Sequence, residues 1–141
     1  MEYVRNEDFL FLRLEKGEEI METLNVLCRK ENILAGIVSG IGATNDVTVG
    51  LFDMEKKSFF QNTYTGDREI TSLAGNISCK DGQPYYHLHI TVADGNNQVL
   101  GGHLSRCVIS VTAEITVIIA SVKTDRTPDE NGINLLHFPN A

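Results

Sequence analysis

Apolar and polar positions alternate with a period of two along most of this chain, and one segment breaks the rhythm. In "DFLFLRL", residues 8 to 14, Leu10, Leu12 and Leu14 fall on one side, with Phe9, Phe11 and Arg13 on the other. That alternation predicts a strand with one fully apolar face. Gly17 ends it. The next stretch, "EEIMETLNVLCRKEN" (residues 18 to 32), places Ile20, Met21, Leu24, Leu27 and Cys28 at helical spacing. Glu18 and Glu19 at its start, and Arg29 and Lys30 near its end, complement the helix dipole. The segment predicts the main helix, with one apolar stripe and one wet face.

From residue 33 onward the pattern is strand after strand: "ILAGIVSGIGA", "DVTVGLFD", "SFFQNTYT", "REITSLAGNISC", "PYYHLHITVAD", "QVLGGHLS" and "CVISVTAEITVIIASV". Turn formers separate them at Asn45-Asp46, Glu55-Lys56-Lys57, Gly66-Asp67, Asp81-Gly82 and Asp94-Gly95. Connections this short demand antiparallel pairing, because parallel crossovers need a dozen residues or more. The expected fold is α+β: a mostly antiparallel, twisted sheet of about seven strands packed by one main helix. Residues 1–141 are read as one domain. Its tail from Thr124, "TDRTPDENGINLLHFPNA", has few periodic apolar positions and is expected to wrap the surface. The alternative is a reach to a neighbouring subunit through Leu135, Leu136 and Phe138.

Composition narrows the function classes. Apolar residues make up 42%, normal for a globular chain, and no run approaches the roughly 20 apolar residues that span a bilayer. The N-terminus lacks a basic start followed by an apolar run and a small-residue cleavage site, so the expectation is a cytoplasmic protein. Cys28, Cys79 and Cys107 are odd in number, far apart and without a C-x-x-C pair. They read as buried thiols rather than a disulfide framework or a cysteine zinc site. Twelve basic residues against 19 acidic ones leave a net charge of −7 and no basic stripe. That balance opposes binding to a duplex, whose affinity comes largely from Lys and Arg on phosphates.

One motif is a decoy. "GIGATN", residues 40 to 45, resembles a phosphate-binding glycine loop, but Asn45 stands at the third glycine position and a strand follows where a helix is needed. No G-x-S-x-G elbow or H-E-x-x-H helix occurs in the sequence. Glu114 shares a strand face with Ser110, Thr112 and Thr116; it reads as a charge on the wetter face, or as a catalytic acid if that face borders the histidines.

The histidines are the strongest chemical lead. "HLHITVADGNNQVLGGHL" holds three of the chain's four: His87, His89 and His103. His87 and His89 are two apart on a strand and leave the same face, with Cβ atoms about 6.5–7 Å apart. Two imidazoles can reach from that spacing to one ion at about 2.0–2.1 Å. For His103, parity decides. An even loop sets it opposite Leu88 and on the wrong face. An odd loop, or a bulge at Gly101-Gly102, brings it opposite His87. Three neutral imidazoles would match an open zinc site of the catalytic type.

With "GIVSGIGA" upstream, "GNIS…DGQPYYHLHITVAD…VLGGHLSRCVISVTAEI" resembles the PPC domain of plants and prokaryotes, which follows AT-hooks in a group of plant nuclear proteins. The likeness runs from "FLFLRLEKGEEI" to "AEITVII". It implies an α/β fold around a mostly antiparallel, seven-stranded sheet, a homotrimer, and in some prokaryotic members a metal-holding histidine cluster, often assigned to zinc. By motif the implied ligands are His87, His89 and His103. Plant members carry a G-R-F-E-I-L segment linked to transcription-factor contacts. Here it is "GDREIT": Gly66, Glu69 and Ile70 match, Arg68 replaces phenylalanine and Thr71 replaces leucine. The sequence contains no R-G-R-P hook, and three chains at −7 would carry −21.

Three functions follow as expectations. The first is a homotrimeric metal-binding module or small-molecule sensor. The second is a metal-dependent hydrolase or lyase using Glu114 or Glu69 as an acid. The third is a DNA-binding or transcription-associated protein by analogy with the AT-hook relatives, for which the charge gives no physical basis.

Overall fold

The computed structural model describes residues 1–139. Strands β1 (Glu2–Arg5) and β2 (Phe9–Glu15) precede the helix α1 (Ile20–Lys30). Four long strands follow: β3 (Gly36–Asp53), β4 (Ser58–Lys80), β5 (Gln83–Ala93) and β6 (Val99–Ile119). Two short ones, β7 (Asp125–Pro128) and β8 (Asn134–His137), end the chain. The main sheet has six strands in the order β1-β2-β6-β3-β4-β5, every pairing antiparallel. β5 also pairs with the start of β6, so β3, β4, β5 and β6 close on one another. The fold is α+β, mostly antiparallel sheet with one helix.

The strand inventory differs from the expected seven. β1 and the β7–β8 hairpin are additional. Conversely, Asn45-Asp46 and Gly66-Asp67, expected as turns, lie inside long strands. Register slips between Thr44 and Asp46 against both neighbours of β3, and Gly66 sits at φ 100°. A bulge leaves a residue unpaired and sharpens the local twist, so a strand bends there without ending. Turn-forming residues serve such a bend as well as a turn. β6 is similarly one strand, with a slip between the pairs Thr48–Arg106 and Val49–Leu104.

The core sits between α1 and one face of the sheet. Leu10, Leu12 and Leu14 of β2, Leu24 and Leu27 of α1, and Leu88, Ile90 and Val92 of β5 are all 2% exposed or less. Each such side chain contributes roughly 1.5–3 kcal/mol. Turning β5 over would expose three of them and bury two imidazoles, at a cost on the order of 5–9 kcal/mol. The core therefore sends His87, His89 and Thr91 to the opposite face.

Glu19 caps α1 by accepting from Glu22 N (2.7 Å), and its other oxygen accepts from Cys107 N (2.8 Å). One carboxylate thus starts the helix and ties it to β6. Tyr86 on β5 donates to Leu24 O at 3.2 Å. Cys28 and Cys107 are buried and Cys79 is half-buried, all three free. Burial pushes both the Cys28 and the Cys107 thiols up to about 11.

Candidate functional site

The hairpin between β5 and β6 decides where His103 points. Asp94 Oδ1 accepts from Asn96 N (2.9 Å) and Gln98 N (3.0 Å), and Asp94 O accepts from Asn97 N at 2.9 Å. Asn97 takes the left-handed conformation, φ 60°, and Asp94 N donates to Gln98 O. The result is a three-residue loop, Gly95 to Asn97, centred on Asn96. The loop is odd, so His103 joins the face of His87 and His89. Its direct partner is His89 rather than the expected His87, because the turn centres one position later than that register assumes. His87 stays adjacent on the diagonal, with ring centroids 5.3 Å apart.

No bulge occurs at Gly101-Gly102 in this pairing, which runs regularly from His89–His103 to Ala93–Val99. The glycines serve close approach instead. A Cβ on Gly101 would lie 2.4 Å from Ile90 O, and one on Gly102 would lie 2.8 Å from Gly50 O. His103 sits at the junction where β6 leaves β5 for β3, paired with His89 on one side and Gly50 on the other.

The three rings are mutual neighbours, with centroids 5.2, 5.3 and 5.7 Å apart, and each offers a ligand atom within 4.8 Å of the others. Nitrogens on one tetrahedral zinc lie about 3.3 Å apart, so side-chain rotations closing at most about 1.5 Å would gather them. The set could hold one ion. Burial first, then His89 and Arg126, hold His87 below the usual imidazole range. Burial first, then His87 and His89, do the same for His103. Both imidazoles are therefore neutral at neutral pH, the form that ligates a metal.

The cluster opens into a cleft of about 900 Å³. The long β3–β4 arm supplies Phe59, Phe60, Gln61 and Tyr64, and the tail hairpin supplies Arg126 and Asn134. Phe59 meets the His103 ring edge-on at 5.2 Å. Gln61 donates to Ser105 Oγ at 2.7 Å. Among the described residues no carboxylate lines the cleft. Glu114 pairs with Arg13 of β2 and Ile41 of β3, eleven residues along β6 from His103, or roughly 36 Å of strand. Glu69 pairs with Ala43 and Ala93. Neither acid borders the histidines.

Arg126 is the cleft residue that sequence reasoning missed. It is 8% exposed and donates through Nε to Ser78 Oγ (2.8 Å), through Nη1 to Asn134 O (2.9 Å) and through Nη2 to Asn76 Oδ1 (2.9 Å). Its guanidinium lies 4.9 Å from the Tyr85 ring centroid. Asn76 and Ser78 are the cross-strand partners of His87 and Tyr85, which brings the tail to the histidine face. "TDRTPD" carries no pattern that announces such a contact; only the packing of the hairpin on β4 creates it.

The model of the Plants and Prokaryotes Conserved (PCC) domain matches residues 1–122. The chain belongs to this family. Among solved structures, a candidate DNA-binding protein of Bacteroides thetaiotaomicron is 32% identical, with a TM-score of 0.93 over 97% of this chain and 96% of that one. A plant- and prokaryote-conserved protein of Pyrococcus horikoshii is 31% identical, with a TM-score of 0.85 over 96% and 93%. A metal-containing protein of Archaeoglobus fulgidus is 29% identical, with a TM-score of 0.83 over 96% of both. The bifunctional protein GlmU of a Synechococcus strain is 36% identical over 127 residues, 84% of this chain. The PCC chain spans only 18% of the length of that curated relative.

Proposed function

We propose that this PCC domain is a homotrimeric metal-binding module of the cytoplasm, binding a small molecule in the histidine cleft. His87, His89 and His103 are the ligands, and zinc or another divalent transition metal is the ion. The observation that carries the reading is the convergence of three ligand atoms within 4.8 Å on one wall of a cleft. A three-histidine set leaves a coordination position open, so the ion would supply Lewis acidity to whatever enters. The chain's own residues position the ligands: Leu88 and Ile90 hold the two β5 imidazoles outward, and the Asp94-capped loop sets the third beside them. The metal-containing Archaeoglobus relative supports the reading.

The trimer draws support from an apolar patch on the sheet face opposite the core. Phe11, Ile37, Ile41 and Ile118 are 52–58% exposed, and Ile37 and Ile118 are direct cross-strand partners. Elemental analysis of tag-free protein, with anomalous scattering at the zinc edge, tests the metal; negligible content after zinc addition sinks it. Light scattering after size exclusion tests the assembly, and a monomer at micromolar concentration refutes it. A DNA-binding role has the names of structural relatives in its favour and the charge of −7 against it. Retention on duplex DNA at physiological salt would reverse that judgement.

A further inference from the structure

We infer that Arg126 is an anion receptor, and that the cleft takes a small organic carboxylate whose other oxygen-bearing end reaches the histidine cluster. The second half of this statement rests on the metal reading; the first does not.

Arg126 is a buried cation without a counter-charge. It is 8% exposed, and among the described residues no carboxylate lies within 4.0 Å of its guanidinium; the Asp125 carboxylate accepts from the Arg126 backbone N at 2.8 Å instead. Its three acceptors, Ser78 Oγ, Asn134 O and Asn76 Oδ1, are all neutral oxygens. Burying a charge this way is costly unless something pairs with it. A guanidinium has five N–H groups. Three are engaged, which leaves one on each terminal nitrogen, the number a bidentate carboxylate accepts. The group sits over the Tyr85 ring, 4.9 Å from its centroid, and lines the cleft beside the histidines.

The surroundings select for such a ligand. The described lining contains no acid, although the chain as a whole carries −7. Arg126 donates to Asn76, the cross-strand partner of His87, which sets it beside the cluster. An ion on the histidines would add a second positive centre to the same cleft. Phe59, Phe60 and Tyr85 supply apolar walls for a carbon body, and about 900 Å³ is the size of a small-molecule site. The class that fits has a carboxylate at one end and a second carboxylate or other hard oxygen donor at the other.

The test is calorimetric titration of the full chain, zinc-loaded and metal-free, with acetate, malonate, succinate and glutarate. The zinc-loaded protein is expected to bind at least one dicarboxylate about tenfold more tightly than acetate. Arg126→Gln should lose about tenfold or more in affinity in both forms at unchanged zinc stoichiometry, with Arg126→Lys between it and wild type. Arg126 also ties the tail to β4, so a readout on the intact protein accompanies the variants: the Arg126 Nε–H resonance should shift during titration. Equal affinity in Arg126→Gln, an unmoved resonance, or no binding by any of the four anions at millimolar concentration would overturn the proposal. If zinc fails to bind while the metal-free chain still takes carboxylates through Arg126, the metal reading falls and the anion site stands.

Discussion

Gly101→Ala probes whether the glycine pair exists to let β5 and β6 approach beside the histidines. An added methyl would lie 2.4 Å from Ile90 O, 2.8 Å from Thr91 Cγ2 and 3.1 Å from Thr91 Cα. Ordinary contact begins near about 3.4 Å, so roughly 1 Å must be found. Ile90 O belongs to a strand whose side chain is 1% exposed, so it cannot swing away as a flexible side chain would. Overpacking of this kind costs about 1–3 kcal/mol, and the stiffer unfolded chain returns about 0.4–1 kcal/mol. The net loss, at most about 2.6 kcal/mol, divided by an unfolding entropy of about 0.3 kcal/mol/K for 141 residues, lowers Tm by up to about 9 °C. Because His103 lies two residues on, zinc affinity should fall with it. Gly95→Ala is the control: nothing lies within 4 Å of a Cβ there, so its Tm should stay within about 2 °C of wild type. Circular-dichroism melts at fixed protein concentration, paired with zinc titrations, read both effects. If Gly101→Ala melts with Gly95→Ala and binds zinc like wild type, the close-approach account is wrong.

Further expectations concern the ligands, the tail and the thiols. His103→Ala and His87→Ala should each abolish stoichiometric zinc binding, while Glu114→Gln leaves it intact; elemental analysis distinguishes them, and loss in Glu114→Gln would place that acid at the site after all. Asp129 accepts from Ile133 N at 2.8 Å and from Asn131 N at 2.9 Å, and the Ile133 contact leads in holding its carboxyl below the usual carboxylate range. The bonds stabilise the β7–β8 turn fully above the ordinary Asp value and weaken as pH falls through the lowered one. Hydrogen exchange at Ile133 should therefore quicken, relative to Asp129→Asn, only at strongly acidic pH. Cys28 and Cys107, with thiols pushed up to about 11, should resist a thiol reagent at pH 8 in the folded protein, leaving Cys79 to react first. Fast labelling of all three under native conditions would refute the burial.

Alternation and helical spacing along the chain were enough to determine the α+β class, the helix, and the faces of β2 and β5, because each is a local period set against one core. They placed His87 and His89 together on the outer face for the same reason. Local pattern could not tell a bend from a turn at Asn45-Asp46 or Gly66-Asp67, since both use the same residues and only cross-strand pairing distinguishes them. It also left His103 conditional on loop parity, which Asp94 resolves through bonds to Asn96 and Gln98 that centre the turn on Asn96. Arg126 was out of reach altogether. Its partners, Ser78 and Asn76, stand 48 and 50 residues away, and a guanidinium becomes a site only when tertiary packing buries it without a counter-charge.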